Sequence, residues 1–191
     1  MKVALIGPVY PYRGGIAHYT SMLAHALDDA GHRTQVISFR RQYPGFLYPG
    51  KTDKDPSQKP LKTEAKYLLD PLYPWTWQRT IQFVRSFSPD ITIIQWWTTF
   101  WAPAFACLAK RLKQSKLSSV FIIHNVMPHE QRPWDRFLAR LALSNGDAFV
   151  VQTRREQERL QSLLPGSKIY SCPLPAYSLL RAEQNTRAQA R

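Results

Sequence analysis

Gly14 and Gly15 stand together between an apolar run and a helical pattern, where residue type bears directly on chemistry. With no Cβ, two adjacent glycines let a ligand come close to the backbone. The free N–H groups of a helix beginning there point at the ligand, and the helix dipole favours an anion. A phosphate is the natural occupant; a plain tight turn is the competing reading. The pair is neither a G-x-G-x-x-G fingerprint, whose spacing Gly7, Gly14 and Gly15 do not meet, nor a Walker loop, since Ile16-Ala17 follows in place of Lys-Ser/Thr. Arg13 beside it could pair with a phosphate or an acidic ligand. Tyr12 and, on the helix, His18 are further candidates. A second group is His124-Asn125, directly after the apolar run 119–123. A neutral imidazole there could donate to a ligand hydroxyl, or it could be a core histidine bonded to backbone; Asn125 is a turn residue or a contact. Trp96, Trp97 and Trp101 follow the run 91–95 and either stack on a ligand ring or fill the core. The five histidines form no metal-ligand pattern with carboxylates or thiols.

These residues need elements to place them. Residues 2–6 read as a strand covered on both faces. Ile16, Tyr19, Leu23, Ala26, Leu27 and Ala30 make one helical face, closed by Gly31 as a C-cap. A strand is expected over 33–39, then an irregular stretch over 40–60 with four prolines, two glycines and the aromatics Tyr43, Phe46 and Tyr48. A short helix is expected over 61–69 and another over 74–87, with Trp77, Ile81, Val84 and Phe87 facing the core. Strands over 91–95, 119–123, 148–152 and 168–171 alternate with helices over 102–113, 134–143 and from Thr153 to about 164. Phe137, Leu138, Leu141 and Ala142 form the inward face of the second of these, and Thr153 with Glu156 a capping box for the last. Strands alternating with helices imply a Rossmann-like parallel sheet with helices on both faces. Ligands of such sheets bind outside the carboxyl ends of the strands. The glycine loop, Arg40-Arg41, Trp96-Trp97 and His124-Asn125 all fall there.

A chain of 191 residues, 44% hydrophobic and 20% charged, is one domain with a core of its own. No stretch reaches the roughly 20 apolar residues of a membrane span, and the short apolar N-terminus does not read as a signal peptide. Cys107 and Cys172 suggest no disulfide framework, which fits a cytoplasmic protein. The net charge of +13 suits a polyanion or an anionic membrane, or simply a solvated face. Helix-turn-helix spacing, RNP aromatics and Cys/His fingers are missing, so no nucleic-acid partner is expected.

Gly7-Pro8, Pro11, Gly14-Gly15-Ile16-Ala17, Tyr19 and Leu27 before Gly31-His32 resemble the opening of family-four glycosyltransferases of the GT-B fold. His124-Asn125-Val126, the run 147–153 and the run 169–175 ending in Pro-x-Pro resemble later landmarks of that family, in the same order. The resemblance implies that residues 1–176 are the acceptor-side half of a GT-B enzyme, with 177–191 a polar tail or the start of the interdomain linker. It implies a retaining, metal-independent hexosyl transfer with a nucleotide-sugar as co-substrate and no other cofactor. Gly14 and Gly15 would hold the donor diphosphate and His124 would touch the transferred sugar. Arg13, Tyr12, His18, Trp96 and Asn125 would meet a carbohydrate or lipid-linked acceptor, and the protein would lie peripherally at the inner membrane face. The family's E-x7-E pair is missing, as is a second glycine loop. The chain is therefore expected to be inactive alone, as a fragment or as half of a split enzyme. The alternatives are a non-catalytic, membrane-docking subunit and a GT-B epimerase.

Overall fold

The computed structural model describes residues 1–43, 52–57, 61–128 and 130–174. Among the described residues the elements in chain order are β1 (Lys2–Ile6), α1 (Gly15–Asp29), β2 (Arg33–Phe39), β3 (Ala65–Leu69), α2 (Pro74–Phe87), β4 (Ile91–Trp96), α3 (Ala102–Gln114), β5 (Ser119–Ile123), α4 (Asp135–Leu143), β6 (Ala148–Val151), α5 (Arg154–Leu163) and β7 (Ile169–Ser171), with a 3-10 turn at Thr99–Trp101. The expectations for Phe46, Tyr48, the rest of 44–51 and 58–60, and the tail from 175 lie outside the described residues.

The apolar runs form one seven-stranded sheet in the order β3-β2-β1-β4-β5-β6-β7, parallel throughout. The chain builds leftward from β1 to β3, then returns to β4 beside β1, so the direction of winding switches between β1 and β4. Alternation along the strands divides the core. Ala4, Ile6, Ile37, Phe39, Ile94, Trp96, Phe121, Ile123, Phe149 and Val151 join residues of α2, α3, α4 and α5 in one large cluster. Leu5, Val36 and Ile93 turn the other way and meet Leu23 and Ala24 of α1. This is the Rossmann-like architecture the pattern implies.

Three expectations are corrected. Residues 65–69 are a strand, not part of a short helix: Ala65, Lys66 and Tyr67 pair in parallel with Val36, Ile37 and Ser38. The open edge of β2 offers hydrogen bonds that a short uncapped helix cannot match, and Leu69 is buried in the bargain. Of the face expected of α4, Ala142 is buried and Leu138 packs against the core, but Phe137 and Leu141 do not. The buried residues of the helix are Asp135, Ala139, Ala142 and Leu143, whereas Phe137 and Leu141 are exposed. The Asp135 carboxylate accepts from the Thr99 hydroxyl and from the Arg132 amide (2.7 Å), which ties the helix N-terminus down. The two small alanines then let α4 close on α3, where Phe137 would hold it off. In α5 only half of the capping box forms. Thr153 accepts from the Glu156 amide (3.2 Å), but the buried Glu156 carboxylate accepts from the Val126 amide and from Arg159 instead.

Candidate functional site

The loop after β1 reaches α1 through Gly14, whose φ of 113° belongs to the region glycine occupies readily. A Cβ on Gly14 or Gly15 would meet nothing within 4 Å, so the space in front of the pair is open. Gly14 caps α1 without a side-chain hydrogen bond, and the first turn holds no acidic residue. Its carbonyl accepts from Ala17 and His18 (3.1 and 3.2 Å). The amides of Gly15 and Ile16 have no acceptor among the described residues, which is the arrangement an anion requires.

One turn along α1, Tyr19 packs edge-on against the His124 ring at 5.1 Å between centroids. His124 follows β5, and its amide donates to the Trp96 carbonyl (2.9 Å). Its Nε2 lies 2.7 Å from Oε1 of the fully buried Gln95 near the end of β4, and the Gln152 side chain after β6 faces the same ring. Burial pushes the imidazole pKa down to about 4, against the opposing pull of Gln152. The ring is therefore neutral near pH 7, with one N–H and one lone pair. Gln95 Oε1 accepts from its N–H, and the buried amide nitrogens Gln95 Nε2 and Gln152 Nε2 have no partner among the described residues. Gly7 makes room for the arrangement, since a Cβ there would lie 2.6 Å from Gln95 Cγ. In the sequence only their strand-end positions mark Gln95 and Gln152, and its place on the apolar face of α1 marks Tyr19.

Segment 52–57 pairs with the glycine loop. Arg13 N donates to Asp53 O and Asp55 N to Pro11 O, each at 2.9 Å, and Tyr12 bridges antiparallel to Lys54. The Arg13 side chain is exposed and makes no ion pair among the described residues. His18 Nε2 lies 3.7 Å from Asp55, whose carboxyl is held below the usual range by Ser57 and then by His18. Asn125 is half-buried beside His124, with no side-chain hydrogen bond among the described residues.

Two proposed contacts belong to the framework instead. Tyr12 is buried; its hydroxyl donates to the Phe39 carbonyl (2.8 Å), its ring lies under Lys54 Nζ, and burial raises its pKa. Trp96 has no exposed surface: its Nε1 donates to Val126 O (3.3 Å) and its ring packs on Phe105 and Phe121. Trp97 and Trp101 are buried beside it. Three large rings at the end of β4 fill the space under α3 more effectively than they could serve a solvent-facing ligand. Among the described residues no cluster of His, Cys, Asp and Glu could hold a metal ion, and no helix is long and apolar enough to cross a membrane.

Comparison with solved structures finds the same fold. The chain superposes on sucrose-phosphate synthase from Thermosynechococcus elongatus with a TM-score of 0.54 at 12% identity, covering 93% of this chain and 91% of that one. UDP-GlcNAc 2-epimerase from Methanocaldococcus jannaschii gives 0.55 at 14% identity, with 90% of this chain and 45% of that one covered. An alpha-glucosyltransferase in complex with UDP gives 0.56 at 9%, with 90% and 43% covered. The chain thus spans less than half the length of the last two. No curated protein sequence matches it. Residues 14–169, from the glycine pair to the start of β7, match the family described as the glycosyl transferase 4-like domain, and the chain belongs to that family.

Proposed function

We propose that this chain is the acceptor-side domain of a retaining glycosyltransferase that moves a sugar from a nucleotide-sugar to a glycan or lipid-linked acceptor. The observation that carries the reading is the open N-terminus of α1 at Gly14-Gly15, with Tyr19 one turn further along the same helix packed on the neutral His124. Both lie at the carboxyl edge where the winding switches, the place at which parallel α/β sheets bind ligands. The amides of Gly15 and Ile16 hold the donor diphosphate, and the helix dipole stabilises the charge that grows on the departing nucleoside diphosphate. His124, with its protonation state held by two glutamines, donates to a hydroxyl of the transferred sugar. Arg13, His18 and Asn125 line the acceptor side. No metal is required. A second Rossmann-like domain closes the donor site across the cleft, and the 191 residues alone do not transfer sugar; the short coverage of the epimerase and the glucosyltransferase supports this part.

Gly15→Val tests the reading in the enzyme that carries this domain. The new side chain meets open space in the fold but stands where the diphosphate must approach. Nucleoside diphosphate release from a panel of nucleotide-sugars is expected to fall by about 100-fold in kcat/KM, the scale of losing an anion-stabilising donor, with the melting temperature little changed. Undiminished turnover in a folded Gly15→Val enzyme would refute it.

A further inference from the structure

The outward face of α4 has no role in the fold described above. Trp134 is 54% exposed, Phe137 67% and Leu141 40%. At 3.6 residues per turn, positions 134, 137 and 141 form one stripe, and that stripe points away from the buried Ala139 and Ala142. Arg136 and Arg140 run beside it one turn apart, and the Arg132 guanidinium lies 5.8 Å over the Trp134 ring. On the Arg136 side a cavity of about 480 Å³ opens between α4 and α5, where Arg136, Arg155 and Arg159 outnumber the one carboxylate, Glu158, beside Val126 and Met127. Arg159 is paired with Glu156, and Glu158 with Arg154. Arg136 and Arg155 have no ion pair among the described residues.

We propose that this face docks the protein on an anionic phospholipid bilayer. Trp134, Phe137 and Leu141 enter the boundary between headgroups and acyl chains, and Arg136, Arg140 and Arg155 meet lipid phosphates. A large apolar stripe bordered on one side by arginines is the pattern of a helix that lies in the interface plane, and a Trp ring suits its half-wet depth. Long arginine stems carry their charge out to the headgroups while covering apolar surface. Charge selects this occupant over a second copy of the chain. A two-fold contact through α4 would bring Arg132, Arg136 and Arg140 of one copy against the same residues of the other, in a molecule of net charge +13. An anionic surface answers that charge. The proposal does not depend on what His124 touches.

Co-sedimentation of the full chain with phosphatidylcholine vesicles, with and without phosphatidylglycerol, tests it. Binding is expected only with phosphatidylglycerol present, and it weakens as salt is raised. Trp134→Ser/Phe137→Ser/Leu141→Ser should lose vesicle binding at least tenfold at a little-changed melting temperature, because none of the three side chains joins the buried clusters. Arg136→Gln and Arg155→Gln should each weaken binding about fivefold and flatten the salt dependence. Equal binding by the triple variant would overturn the proposal. So would failure to bind either vesicle, whether the wild type is a monomer, a dimer that the triple variant disperses in sedimentation velocity, or a species captured by an acidic protein.

Discussion

His124 illustrates how position and titration are joined at a single residue. The folded imidazole has a pKa near 4, against 6.5 for the free side chain, so the unfolded chain binds a proton that the folded one refuses. Stability is therefore at its full value above pH 6.5 and falls as the pH drops toward 4, by about 3 kcal/mol for the whole shift. The difference in unfolding free energy between wild type and His124→Gln, measured in urea at pH 7 and at pH 4.5, should shrink correspondingly; a constant difference would mean that the ring is not buried neutral. Gly7 is expected to be as sensitive. Gly7→Ala drives a Cβ into Gln95 and Thr20 and should cost about 1–3 kcal/mol as overpacking, and it should also move the His124 ring resonances.

At the level of elements, α4 and α5 are each held by a buried carboxylate as well as by buried leucines, Leu143 in α4 and Leu160 and Leu163 in α5. Asp135 and Glu156 are both buried, and each caps backbone or side-chain donors that would otherwise be left without partners. Glu156→Ala leaves the Val126 amide and Arg159 unanswered and should cost about 1–3 kcal/mol. The orientation of α4 makes a sharper contrast. Phe137→Ser should change stability by less than about 0.5 kcal/mol, whereas Leu143→Ala should cost about 2–5 kcal/mol. Urea denaturation of the two variants measures both, and a reversed order would mean that α4 packs through Phe137.

Across the whole molecule a single apolar cluster joins β1, β2, β4, β5 and β6 to α2, α3, α4 and α5. Unfolding should accordingly follow one calorimetric transition, with equal van't Hoff and calorimetric enthalpies. The parallel sheet could be read in advance from runs such as 2–6, 91–95, 119–123 and 148–151, because strands covered on both faces must be apolar at successive positions whatever their neighbours. The strand-end locations of Gly14-Gly15 and His124 followed from the same local pattern. Packing decided what local pattern cannot carry. Residues 65–69 became a strand because an unpaired β2 edge lay beside them, a fact about distant residues. The same holds for Trp96 and Tyr12, whose types suit a ligand or a core equally and which the space under α3 and the Phe39 carbonyl claimed. Helix periodicity shows that α4 has an apolar stripe but not which stripe its neighbours can accommodate; that depended on Asp135 reaching Thr99 and on Ala139, Ala142 and Leu143 filling the buried side. Gln95 and Gln152 lie 57 residues apart in the sequence, and only the adjacency of strand ends brings their amides to one imidazole.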